Sequence, residues 1–179
     1  MHRLAVGPVT VELVVGDLTA QPDVDVIVNA ANAELTTGGG VAGAIHRAAG
    51  PQLEEACRPL APIATGQAVR TEAFALPNRA VIHVLGPVYG RDEPAAELLA
   101  AGHREALRLA EEAGDTTIAF PAVSTGVFGY PVEEAAAVAV RTVVATAPEL
   151  TQLRTVRFVL FDEVAFAAFE RALTTVARP

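Results

Sequence analysis

The chain has 179 residues, 51% of them apolar, with 13 basic against 21 acidic groups and a net charge of −8. That balance argues against phosphate-backbone binding to nucleic acid as the main role, and no run of eighteen apolar residues offers a membrane span. A lone cysteine, Cys57, excludes an internal disulfide, and His2, His46, His83 and His103 show no metal-ligand spacing with it, so no metal and no cofactor are expected.

The length fits one domain over residues 1–179 with a core of its own. Met1-His2-Arg3-Leu4 lacks the basic-then-apolar pattern of a signal peptide, and a cytoplasmic monomer is the expectation. All thirteen basic residues are arginine, which points to a G+C-rich coding sequence more than to a function.

Val9, Val11, Leu13 and Val15 alternate with Thr10, Glu12 and Val14, predicting a strand with one buried face. It runs into Gly16-Asp17-Leu18-Thr19, where Asp17 suits a turn or a helix N-cap. Val24, Val26, Ile27 and Val28 predict a buried strand that stops at Asn29-Ala30-Ala31-Asn32, two amides at a carboxyl end. Gly38-Gly39-Gly40 follow, and Val41, Ala44, Ile45 and Ala48 then step at helical spacing to about Ala49. Glycines let backbone approach a ligand closely, and the first N–H groups of a helix lack partners and carry its positive dipole end. Together they favour an anion, most often a phosphate or diphosphate; the same residues also serve as a plain turn before a core helix.

A short helix is predicted over 52–58, strands over 67–72 and 80–85, and a long helix over 93–113. His83 lies in the second of these strands and reads as a core or face-packing residue. A strand over 116–120 leads into Pro121-Ala122-Val123-Ser124-Thr125-Gly126-Val127-Phe128-Gly129-Tyr130-Pro131. There Ser124 and Thr125 offer hydroxyls, while Gly126 and Gly129 open the backbone for a second anion-cradling loop. Pro131 predicts a helix start, with Glu133 and Glu134 in its first turn. The last strand is predicted over 156–161, before a helix with an apolar stripe at Phe166, Phe169, Leu173 and Val176. Alternating strands and helices imply an α/β domain, whose ligands bind beyond the carboxyl ends of the strands, where Asp17, Asn32, Ser124 and Phe161 all fall.

Three competing motifs fail on named residues. A Walker A loop needs a lysine, and the chain has none. The dinucleotide fingerprint places its glycines directly after the strand, whereas eight residues lie between Asn29 and Gly38. Ser124 sits in Ala-Val-Ser-Thr-Gly and not in the Gly-x-Ser-x-Gly of a nucleophile elbow.

Val-Asn-Ala-Ala-Asn at 28–32, the Gly-Gly-Gly-Val-Ala-Gly-Ala-Ile-His-Arg-Ala-Ala-Gly run at 38–50 and Phe-Pro-Ala-Val-Ser-Thr-Gly-Val-Phe-Gly-Tyr-Pro at 120–131 resemble a macrodomain in order and spacing. The resemblance covers about residues 11–173 and is greatest to the bacterial branch near the MacroD-type mono-ADP-ribosyl hydrolases. It implies a three-layer α/β/α sandwich around a mixed, mostly parallel sheet of about six strands. It implies ADP-ribose as ligand and mono-ADP-ribosylated proteins as partners, nucleic acid entering only through ADP-ribosylated ends. In this pattern Asp17 and Leu18 meet the adenine, and Phe161 packs on it, a strand-end core aromatic being the plain alternative. Gly38, Gly39, Val41, Ala42, Pro121, Ser124, Thr125, Gly126 and Val127 surround the diphosphate and its approach. Phe128 lies against the distal ribose, or else anchors the core. Ala31 and Asn32 flank that ribose, with Asn32 and Gly40 at the reacting bond.

The implied reaction is hydrolysis of the ester between ADP-ribose and a protein aspartate or glutamate, with O-acetyl-ADP-ribose as a further substrate. A non-catalytic ADP-ribose reader is the alternative. MacroD-type hydrolases carry Gly-Gly-Gly-Gly-Val-Asp-Gly, in which the aspartate is thought to assist the water. Here Thr37 replaces the first glycine and Ala42 replaces that aspartate. Gly-Gly-Gly-Val-Ala is the form of archaeal and viral macrodomains, which bind ADP-ribose and in several cases hydrolyse. His46 faces either the site or the sheet, with a packing or supporting role favoured, and Asn29 is expected to support the loop.

Overall fold

Residues 1–178 are described by the computed structural model. Strands β1 (His2–Val6), β2 (Val9–Val15), β3 (Val26–Ala30), β4 (Ala68–Glu72), β5 (Ala80–Val84), β6 (Thr117–Phe120) and β7 (Thr155–Leu160) form one sheet, ordered β1-β2-β7-β6-β3-β5-β4. β2, β7, β6, β3 and β5 run parallel, while β1 and β4 close the two edges antiparallel. The helices are α1 (Gly40–Ala49), α2 (Gln52–Cys57), α3 (Ala95–Glu112), α4 (Val132–Thr146) and α5 (Glu163–Ala177), with short 3-10 turns at Arg58–Leu60 and Ala147–Glu149.

Successive residues of the central strands feed two different cores, which is why these strands read as continuous apolar runs. Val26 and Val28 of β3, Ile82 of β5 and Phe158 of β7 pack with Leu107 of α3, Val140 of α4 and Phe169 of α5. Ile27, Val81, Ala119 and Val159 point the other way, toward Ile45 of α1 and Leu53 and Cys57 of α2. The result is the three-layer sandwich, three helices on one face and two on the other.

The described sheet has one strand more than about six. The addition is β1, which pairs with β2 in a hairpin register from His2↔Leu13 to Val6↔Val9. Its side chains are only half-buried in alternation, so it carries no apolar run to announce it. β3 extends through Asn29 to Ala30, Val24 preceding it, and β7 ends at Leu160, leaving Phe161 outside. Pro131 is the N-cap of α4, one residue earlier than the helical start its ring suits.

The amino-terminal edge of the sheet is fastened by polar contacts. Asp115, fully buried, receives both Arg70 Nη atoms and lies 3.5 Å from Arg79 Nη1. Asp25 Oδ2 accepts the Thr116 N–H at 2.8 Å and its hydroxyl at 3.0 Å. On the same face as α1 and α2, beyond the cover of those helices, Arg157 of β7 donates to Glu12 Oε2 (2.8 Å), to both Asp23 oxygens (2.9 and 2.8 Å) and to Gln21 Oε1 (2.8 Å). That fan ties the chain between β2 and β3 down onto the sheet.

Candidate active site

β3 and β6 are neighbours, yet the chain leaves them for opposite faces, to α1 after β3 and to α4 after β6. Their connecting loops therefore part at the carboxyl ends and open a crevice, the usual ligand position in such sheets. Strand order lays the singled-out residues in a row: Asp17 after β2, Phe161 after β7, residues 121–128 after β6, and Asn32 after β3. From β2 to β3 is three strand spacings, about 14 Å.

Asn32 is held by its neighbour. Its Oδ1 accepts the Thr36 N–H at 3.0 Å, and its Nδ2 donates to the Thr36 carbonyl at 3.2 Å. A Cβ on Gly38 would stand 3.2 Å from Asn32 Nδ2, so the amide lies directly against the glycine loop. Gly38 and Gly40 take φ of +59° and +54°, the left-handed region that a side chain resists. Gly39 caps α1 without a side chain, and the first turn-closing bond is Gly43 N–H to the Gly39 carbonyl. The N–H groups of Gly40, Val41 and Ala42 are thus left for a ligand or solvent. Ala42 is buried and brings only a methyl group to the place where a carboxylate was at issue.

In the loop after β6, Ser124 takes φ +68° and is buried, its hydroxyl turned toward Gly86 at the end of β5. The Thr125 hydroxyl donates to the Ala122 carbonyl at 2.7 Å. Neither hydroxyl is presented to the groove. Among the described residues the N–H groups of Gly126, Val127 and Phe128 make no hydrogen bond, so the loop offers backbone donors instead. Pro121 is buried at the base of this loop and Val127 is 99% exposed at its tip. Phe128 is half-buried against the core on the α1 side, and its carbonyl accepts the Tyr89 N–H at 2.9 Å.

At the far end of the row, Asp17 Oδ1 accepts the Thr19 N–H (2.8 Å) and hydroxyl (2.7 Å), which closes a turn. The Thr19 hydroxyl, with its N–H, holds the carboxyl below its usual range, so Asp17 is charged at neutral pH. Phe161 is 92% exposed and therefore no core aromatic. Leu18 and Ala31 are buried in the α1-side core; only their backbone can face a ligand.

His46 faces the sheet. Burial lowers its pKa, its ring centroid lies 6.4 Å from that of His83, and neither ring nitrogen has a hydrogen-bond partner among the described residues. Asn29, expected to support the loop, does otherwise. Lying inside β3, it alternates toward the α1 face and donates from Nδ2 to His83 Nδ1 at 3.0 Å. His83 Nε2 then donates to the Thr71 hydroxyl (2.9 Å), which donates to the Glu72 carbonyl (3.0 Å). Burial pushes His83 down to about 3 and the Cys57 thiol up to about 11, leaving both neutral and unreactive.

The structure adds Gly86 and Tyr89, whose loop backs Ser124 and Phe128; the Gly86-Pro87 pair, which follows β5 after Leu85, is the sequence signal for it. Two shallow grooves lie elsewhere, of about 180 Å³ between α4 and α5 and about 240 Å³ between α3 and α4; they share Arg141 and include none of the crevice residues. Among the described residues no three His, Cys, Asp or Glu side chains form a metal cluster, and no helix is long and apolar enough to cross a membrane.

Comparison with known proteins places this arrangement. The model of the Macro domain matches residues 28–139. A macro domain-containing protein of Streptomyces griseus is 50% identical over 175 residues, covering 94% of this chain and 97% of the other. A Klebsiella pneumoniae protein named O-acetyl-ADP-ribose deacetylase is 49% identical over 177 residues, covering 96% and 99%. The Oceanobacillus iheyensis macrodomain solved with ADP superposes with a TM-score of 0.94 at 39% identity, covering 98% and 96%. A Trypanosoma brucei macrodomain in complex with ADP-ribose superposes with a TM-score of 0.84 at 37% identity, covering 91% of this chain and 68% of that one.

Proposed function

The chain belongs to the Macro domain family, and from that premise we propose that it binds ADP-ribose along the carboxyl ends of β2, β7, β6 and β3 and hydrolyses acyl esters of the distal ribose. The acid released is a protein aspartate or glutamate, or acetate when O-acetyl-ADP-ribose is the substrate. One bond type serves both substrates: water adds across the ester, giving a carboxylic acid and a free ribose hydroxyl. Relatives named O-acetyl-ADP-ribose deacetylase and neighbours solved with ADP or ADP-ribose support the class of ligand and reaction. The protein-ester substrate is the finer part of the proposal, as are a monomer as the acting unit and mono-ADP-ribosylated proteins as partners.

The observation that carries the reading is the placement of Asn32. Its amide is locked by Thr36, touches the glycine loop, and stands at the crevice between β3 and β6. An amide both donates and accepts, which suits a sugar diol. The N–H groups at the start of α1 and those of 126–128 flank it and suit a diphosphate. Asp17 and Phe161 lie at the β2 and β7 ends of the row, for the adenine. Backbone donors fixed toward developing negative charge stabilise the transition state. Position 42 supplies no base and His46 is turned away; we assign the water's proton to a phosphate oxygen of the substrate, as the resemblance to archaeal and viral macrodomains implies.

The test is release of ADP-ribose from a protein mono-ADP-ribosylated on glutamate, and of acetate from O-acetyl-ADP-ribose, by wild type and Asn32→Ala, beside calorimetric titration with ADP-ribose. Release that collapses in the variant supports the hydrolase. The second reading, a non-catalytic reader, is favoured by Ala42, because absence of a general base costs on the order of 10²–10⁴ in rate. Tight binding without release selects that reading, and neither binding nor release refutes both.

A further inference from the structure

Thr37 is the residue that departs from the four-glycine loop, and the structure gives it a partner. Its N–H donates to Glu54 Oε1 at 3.0 Å, and its hydroxyl reaches the same oxygen at 3.2 Å. Glu54 stands in the first turn of α2. The Thr37 N–H is the leading cause holding its carboxyl below the usual range, so the acceptor is a carboxylate at neutral pH. Thr36, the residue before, is bonded to Asn32 through both its N–H and its carbonyl. Two successive residues are therefore fastened on two sides, Thr36 to the end of β3 and Thr37 to α2. Immediately beyond them comes Gly38 at φ +59°, against the Asn32 amide.

We propose that Glu54 is a positioning residue for this site: through Thr37 it fixes the entry to the glycine loop, and with it the Asn32 amide and the N–H groups of 38–42, before any ligand arrives. Three consecutive glycines lose more conformational freedom on ordering than any other residues. A loop ordered in advance spares the ligand that loss. Bonds to a carboxylate are roughly twice as strong as neutral ones, and here one oxygen takes two of them. The threonine and the glutamate act as a unit: glycine at 37 would keep the N–H bond, lose the hydroxyl bond and loosen the backbone. Glu54 acts only as an acceptor, and no proton transfer is assigned to it. The inference rests on the ligand proposed above.

The test compares wild type with Glu54→Ala and Glu54→Gln in amide hydrogen exchange across residues 37–42, in calorimetric ADP-ribose affinity and in thermal unfolding. Glu54→Ala is expected to speed exchange in that segment and weaken ADP-ribose binding by about tenfold, the scale of a lost bond to a charged group. Glu54→Gln, whose amide oxygen accepts both bonds, restores both readouts to within about threefold. Exchange and affinity in Glu54→Ala within twofold of wild type overturn the inference. So does faster exchange with unchanged affinity, and so does failure of glutamine to rescue in a folded protein. Should the alanine variant not fold, the glutamine variant carries the decision. Wild-type protein that binds no ADP-ribose sinks the preceding reading, an outcome distinct from a binding wild type with an indifferent variant.

Discussion

Adding one methyl group at Gly86 tests how the groove is built. A Cβ there would lie 2.2 Å from Ser124 Oγ and 2.7 Å from Val123 Cγ1. Ordinary carbon contacts begin near 3.5 Å, so the loop after β6 must retreat by roughly 1 Å. Rotation of one hydroxyl does not relieve this, because Val123 is struck as well. Ser124 is already held at φ +68°, with its carbonyl accepting the Tyr130 N–H at 2.9 Å. Overpacking of this kind costs about 1–3 kcal/mol. In a chain of this size that lowers Tm by roughly 2–12 °C. The functional loss should be larger, since the backbone donors of 126–128 ride on the displaced loop and about 1 Å of misplacement can cost 10²-fold in turnover. Thermal unfolding, ADP-ribose titration and ester hydrolysis by Gly86→Ala read out the three quantities. A variant with wild-type Tm and wild-type affinity would refute the reasoning, for the loop would then have room that the packing denies.

Other perturbations separate stability from binding. Phe161→Ala, at a side chain 92% exposed, should leave stability within about 0.5 kcal/mol. It should weaken ADP-ribose by about tenfold if the ring stacks on the adenine, and unchanged affinity would remove Phe161 from the site. Arg157→Met leaves Glu12 and Asp23 without their shared partner. Because Glu12 keeps Arg3 at 3.1 Å and Asp23 is mostly exposed, it should cost about 1–3 kcal/mol in urea unfolding and loosen the Asp17 turn, seen as weaker ADP-ribose binding. Histidine burial sets an acid limb: His83 and His103 are pushed down to about 3 and about 4, from an ordinary 6.5. Because the folded values are the lower ones, the unfolded chain takes up protons first, and stability is full above pH 6.5 and falls as pH drops toward 4. Between pH 7 and 5 the two together should remove about 3–4 kcal/mol. A flat stability over that interval in urea titrations would show that these rings are not held neutral.

Much of this site could be read from residues close together in the chain. The amides after a β-branched run, the three glycines opening a helix and the glycine-bearing loop after a second strand are all local patterns with local causes. What could not be read depends on partners brought in from a distance. Asn29 was adjacent in sequence to the loop it was expected to support, but strand alternation aims it at His83, 54 residues away. Ser124 and Thr125 supply hydroxyls in the sequence; their direction is set by Gly86 in the loop after β5 and by the carbonyl of Ala122. Thr37 looked like a simple loss of a glycine until α2 placed Glu54 beside it. β1 escaped because half-buried alternation over five residues is a weak signal without its partner β2.

The opposite rim of the sheet has a consequence of its own. Asp115 with its two arginines and Asp25 with Thr116 clasp the amino-terminal ends of β3, β5 and β6, while the ligand row occupies the carboxyl ends. Strands of five residues hold these rims roughly 15 Å apart. Substitutions at that separation, sharing no contacts, act additively. The protein can therefore drift at one rim, toward hotter or colder habitats, without retuning what it recognises at the other. Laboratory evolution of a new acyl specificity could likewise begin from a background hardened at the distal rim.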